Sequence, residues 1–205
     1  MLSLDFSHDK VKKVKRGIMS KDKPSQIDLF FGGDVELKGR FQDFIAKTPQ
    51  AEIEANFKKF KRYLAGEMTW AEIKNISKEQ LGHVAKIAYL KYKRGEYPVA
   101  ESLFKGLSVM DHTNWYFRAA LGAIYQKQNQ FQEAIDEYTM ALGLNEKEIT
   151  SLTNRGECYM RLKNYPLALK DFDQAANLDP KCQNAWAKRA RVLKKNIVDQ
   201  GHEGQ

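Results

Sequence analysis

Apolar and polar positions alternate with helical spacing through most of this chain, and one arrangement of them returns every 34 residues. Counted from Leu81, Trp115 and Ile149, slot 8 holds Ala88, Gly122 and Gly156, and slot 20 holds Ala100, Ala134 and Ala168. Slot 17 holds Tyr97, Phe131 and Tyr165, and slot 24 holds Phe104, Tyr138 and Phe172. Each period is predicted to be two antiparallel helices, over about 78–94 and 97–110 in the first. The small residues of slots 8 and 20 suit close helix crossings, and the aromatics of slots 17 and 24 are expected in the wedge between hairpins. Gly95 and Asn129 fall at inter-helix turns that need a permissive backbone.

Helical patterns also flank the repeats. Val35 to Lys47 reads as a short helix with Leu37, Phe41, Phe44 and Ile45 on one side, and Thr48-Pro49 then supplies a cap and a first-turn proline. The next helix carries Ile53, Phe57, Phe60 and Leu64 and stops at Gly66. Thr69 with Glu72, and Ser77 with Gln80, have capping-box spacing. Asp179-Pro180 closes the third period. Ala185, Trp186, Ala190 and Leu193 then begin a helix with no partner, expected to cover the open end of the stack. The organisation read from this is a basic, flexible arm at 1–33, containing the apolar cluster Ile27 to Phe31, and a helical extension at 34–76. Three repeats follow at 77–182, then a capping helix and tail at 183–205.

Composition narrows the possibilities. The net charge of +8 sits at the two ends, because residues 81–180 carry 12 basic and 12 acidic side chains. A basic end is either a solvated face or a contact for an acidic partner. The lack of stacking aromatics between the basic residues argues against nucleic acid. No apolar run is long enough for membrane insertion, and the start of the chain lacks the pattern of a secretory signal. Cys158 and Cys182 have neither metal-ligand spacing nor disulfide density, which points to a reducing cytoplasm, with Cys158 a buried filler. No phosphate loop, nucleophile elbow or paired-histidine motif is present, so no enzyme activity, cofactor or metal is expected.

The 34-residue period with its small-aromatic-Ala-aromatic slots resembles the tetratricopeptide repeat. The expected fold is all-α, a solenoid of three helical hairpins with N-terminal helices and a C-terminal capping helix. In that architecture the first helix of each hairpin lines a concave groove. Its groove slots are Ala85, Tyr89 and Tyr92 in the first repeat, Tyr116, Ala119, Ala123 and Gln126 in the second, and Glu157 in the third. Alanines leave room for a peptide backbone, and tyrosines offer flat apolar area at low entropic cost. The Lys and Asn residues with which one subclass grips a C-terminal carboxylate are missing, since their slots hold Ala85, Tyr89 and Ala123.

A narrower resemblance covers about 70–160. It is carried by Leu81, Ala88, Tyr92, Gly95, Tyr97, Ala100 and Phe104, then Leu107, Val109 and Asp111-His112. Leu121-Gly122-Ala123, Gln126, Gln130, Ala134-Ile135 and Tyr138 continue it. This run resembles the class II chaperones of type III secretion. The resemblance implies a cytoplasmic, non-enzymatic chaperone whose groove holds an extended apolar segment of a translocator client. It maps groove aromatics onto Tyr89 and Tyr92, with Tyr97 at the turn. The alternative is an adaptor that binds a folded regulatory protein outside secretion. Phe57 and Phe60 suit a homodimer through the N-terminal helices, or equally burial against the first repeat.

Overall fold

The computed structural model describes Glu36, Gly39, Arg40, Asp43 and residues 46–201. The arm at 1–33, its cluster Ile27 to Phe31, and the Leu37, Phe41, Phe44 and Ile45 face lie outside the described residues. The chain divides into two compact units, Met1–Phe60 and Lys61–Gln205. Helix α1 (Gln50–Leu64) runs through the end of the first unit. It stops at Gly66, whose φ of 74° lets the Glu67 N–H donate back to the Arg62 carbonyl at 2.9 Å.

The regular elements among the described residues of the second unit are all helices. The short α2 (Trp70–Ile73) and the longer α3 (Lys78–Lys93) both open on the capping boxes that the spacing indicated. At α3 the Gln80 N–H donates to Ser77 Oγ at 3.1 Å, and Gln80 Oε1 accepts from the Ser77 N–H at 2.8 Å. Three antiparallel pairs follow: α3 with α4 (Tyr97–Met110), α5 (Trp115–Lys127) with α6 (Phe131–Leu144), and α7 (Ile149–Arg161) with α8 (Tyr165–Asn177). A single helix, α9 (Ala185–Asp199), ends the stack. The three hairpin turns share one backbone conformation, with φ of 78° at Gly95, 62° at Asn129 and 61° at Lys163. Only the first is a glycine, so the period preserves a left-handed turn even where the residue type does not favour it.

The repeat slots explain the packing. A Cβ on Gly122 would stand 2.8 Å from the Tyr138 ring, and one on Gly156 would stand 2.6 Å from the Phe172 ring. Slot 24 therefore packs inside its own hairpin against slot 8, rather than only in the wedge between hairpins. Phe104 does both, since its ring also lies 6.4 Å from that of Phe117 in the next hairpin. Ala88, Ala100, Ala134 and Ala168 are fully buried, as the close helix crossings require.

The last helix packs onto the third hairpin, with Leu193 also against its core. Its buried residues are Ala187, Ala190 and Ile197, of which Ala190 and Ile197 join Phe172 and Ala175 in one cluster, while Ala185 and Trp186 stay exposed. Its basic side chains are fasteners as well as a solvated face. Arg191 Nη2 donates to the Ala176 carbonyl at 2.7 Å, closing the C-terminus of α8, and Lys194 pairs with Asp173. Within the third hairpin, Arg155 forms a two-pronged pair with the buried Asp171, both contacts at 2.8 Å.

Candidate functional site

The first helices of the hairpins, α3, α5 and α7, line one face together with α9. Three adjoining clefts run along it. The first, of about 670 Å³, lies between α3 and α5 and includes Ala85, Tyr89 and Tyr116. The second, of about 300 Å³, is lined by Tyr89, Tyr92, Tyr116, Ala119, Ala123 and Trp186, among others. The third, of about 400 Å³, includes Gln126, Lys127, Glu157, Arg161 and Arg189. The second and third share Tyr92, Ala123, Asn154 and Trp186, so they are parts of one continuous groove.

The eight residues named from the repeat slots thus all line these clefts, but in different ways. Ala85 is buried and forms wall rather than surface. Tyr89 and Tyr116 are 45% and 39% exposed, whereas Tyr138 and Phe104 are each 1% exposed. Tyr92 is half-buried between them and the turn, with ring centroids 6.3 Å from Tyr89 and 5.9 Å from Tyr97. Burial raises the pKa of Tyr92 above its ordinary value, with Tyr97 and Tyr89 adding to the shift, and burial likewise raises Tyr116. Both hydroxyls therefore stay protonated and able to donate through the neutral range. Ala119 and Ala123 are half-buried and keep α5 low between the aromatics.

Gln126 and Glu157 belong to an internal network. Gln126 Oε1 accepts from the Tyr138 hydroxyl at 2.9 Å, and its Nε2 donates to Glu157 Oε2 at 3.3 Å. Glu157 is buried and takes two hydrogen bonds from Arg189 of α9. Sequence reasoning missed Trp186 and Arg189, because α9 read as a cap. Their three-residue spacing after the Asn184 cap was the available signal, since it puts both on one stripe of the helix. Asp111-His112, prominent in the sequence, lies at the end of α4. Asp111 accepts from the Thr113 hydroxyl at 2.7 Å, and the His112 ring meets Tyr63 edge-on at 5.9 Å. Among the described residues no group of three or more His, Cys, Asp or Glu side chains is arranged to hold a metal. No helix among them is long and apolar enough to cross a membrane.

The hairpins and their slots have the architecture of tetratricopeptide repeats. Residues 117–148 and 149–182 each match a family model described as tetratricopeptide repeat. Over 99 residues the chain is 30% identical to the low calcium response locus protein H of Yersinia pestis, covering 48% of this chain and 59% of that one. It therefore spans less than two thirds of that relative's length. The fold matches the type III secretion translocator chaperone SycD of Yersinia enterocolitica with a TM-score of 0.59 and 25% identity, over 63% of this chain and 98% of that one. It also matches PcrH of Pseudomonas aeruginosa in complex with the chaperone-binding region of PopD, with a TM-score of 0.58 and 21% identity, over 61% and 96% of the two chains.

Proposed function

We propose that this protein is a non-enzymatic chaperone that holds an extended apolar segment of a translocator-like client along the groove of α3, α5, α7 and α9. The observation that carries this reading is the exposure of Tyr89 and Tyr116 beside half-buried alanines, in repeats whose other aromatics are buried or half-buried. Flat amphipathic rings left in a cleft offer contact area with little entropy to lose. PcrH in complex with the chaperone-binding region of PopD fits the same use of the face. The reading takes the protein to act in the cytoplasm, and it allows a homodimer through the N-terminal helices. The groove residues are Ala85, Tyr89, Tyr92, Tyr116, Ala119, Ala123, Gln126 and Glu157, with Trp186 added.

The test is fluorescence anisotropy with labelled peptides from the chaperone-binding regions of type III translocators. The variant Tyr89→Ala with Tyr116→Ala is expected to weaken binding by about 100-fold, the loss of two aromatic anchors, with an unchanged helical circular dichroism spectrum. Retained affinity in that variant would sink the proposal. A folded partner that binds equally well after the substitution would favour the adaptor instead.

A further inference from the structure

The groove is not uniform along its length. Its middle cleft is tyrosine and alanine, while the third, where α5 and α7 end beside α9, is cationic. The third cleft is lined by Lys127, Arg161 and Arg189 against one carboxylate, Glu157. That carboxylate is already taken up by Arg189, which binds it with two nitrogens, and by Gln126. Lys127 and Arg161 are exposed, and among the described residues neither has a carboxylate partner. The Arg161 guanidinium lies 5.3 Å from the centre of the Phe131 ring, which orients it without neutralising it. Two other arginines of the repeats, by contrast, are matched, Arg118 with Glu137 and Arg155 with Asp171. Two unmatched cations beside a pair that is internally satisfied make this end of the groove a site for one more negative charge.

We infer that the client segment carries an acidic side chain next to its apolar stretch, and that Lys127 and Arg161 receive it. This rests on the groove reading above and specifies the chemistry of the occupant. The apolar and cationic clefts share Tyr92, Ala123, Asn154 and Trp186, so one extended segment passes from the first environment into the second without leaving the surface. An internal Asp or Glu is favoured over a C-terminal carboxylate. The first-helix slots that would clamp a chain terminus hold Ala85, Tyr89 and Ala123, and the cations stand beside the apolar cleft as its continuation.

The experiment uses the full chain and labelled, C-terminally amidated Leu/Ala peptides with a single Asp, Asn or Lys placed at successive positions. At one set of positions the Asp peptide is expected to bind about five- to tenfold more tightly than the Asn peptide, and the Lys peptide least well. The advantage should shrink as salt is raised, and it should disappear in Lys127→Gln with Arg161→Gln. Equal affinities for Asp and Asn in the unaltered protein, or a preference that survives the double substitution, would overturn the inference. So would a preference seen only in peptides with a free C-terminal carboxylate, which would assign the site to a chain terminus. If peptides bind and Tyr89→Ala with Tyr116→Ala abolishes that binding, but no acid is preferred, only this inference fails. If no peptide binds, the groove reading falls with it.

Discussion

The carboxylate of Glu157 in the third repeat accepts hydrogen bonds from both Nε and Nη2 of Arg189 in the last helix, the second at 3.0 Å. The pair joins the floor of the groove to α9 across 32 residues of sequence. The carboxylate side is nearly buried, at 12% side-chain exposure, while the arginine is 55% exposed. Removing the arginine leaves a desolvated charge whose remaining side-chain hydrogen bond is the one from Gln126. Arg189→Ala is expected to lower stability by about 1–2 kcal/mol, less than for a fully buried pair because water already screens the guanidinium. Arg189→Lys should recover part of the loss, since it restores the charge without the fork. The urea unfolding midpoint at unchanged slope reads this out, and an unaltered midpoint in Arg189→Ala would show the pair to be neutral.

Glycine substitutions should change sign with their surroundings. A methyl on Gly156 or Gly122 would drive into the buried rings of Phe172 or Tyr138, at 2.6 Å and 2.8 Å. Each Gly→Ala change there is expected to cost about 1–2 kcal/mol, with overpacking outweighing the gain in helix propensity. Gly106 lies inside α4 with no atom within 4 Å of an added Cβ. Gly106→Ala should instead stabilise by about 0.5–1 kcal/mol. Thermal or urea unfolding of the three variants checks the pattern, and destabilisation by Gly106→Ala would contradict it.

The two thiols should behave oppositely. Cys182 is exposed and Cys158 fully buried. Burial, with the neighbouring Glu157 carboxylate adding to it, pushes the Cys158 thiol up to about 12 from an ordinary value near 9. Folded protein is expected to titrate one thiol with a disulfide reagent at mildly alkaline pH, and unfolded protein two. The sign of the pH effect follows from the raised folded pKa. The folded state holds this proton more tightly, so the contribution to stability is intact below pH 9 and is lost as pH rises from 9 toward 12. Burial raises Tyr138 in the same direction. Cys158→Ala should flatten the alkaline fall in stability, and an identical pH profile would exclude the thiol as a contributor.

Much of the architecture was readable from single residues at fixed spacing. Ser77 with Gln80 and Thr69 with Glu72 announced two helix starts, because capping is a contact over three residues. Gly95 and Asn129 announced turns, because only a few residue types tolerate a positive φ. Lys163 did not, since its φ of 61° is imposed by the hairpin on either side of it. The partner of slot 24 was misjudged for a related reason. A one-dimensional period shows that Gly156 and Phe172 recur together but not that they touch.

The groove divides in the same way. That Tyr89, Tyr116, Ala119 and Ala123 share a face follows from helical periodicity alone, because their spacing along α3 and α5 is local. That Gln126 and Glu157 are engaged internally, and that Trp186 and Arg189 of the last helix line the groove, required the stacked hairpins. Those contacts join residues about one repeat apart. Local spacing along the chain is thus enough to specify the helices, their pairing and the residue types offered to one face. Which polar side chains engage one another, and which cations remain unmatched, follows from the stacking of the hairpins, because charge compensation depends on distances between separate helices.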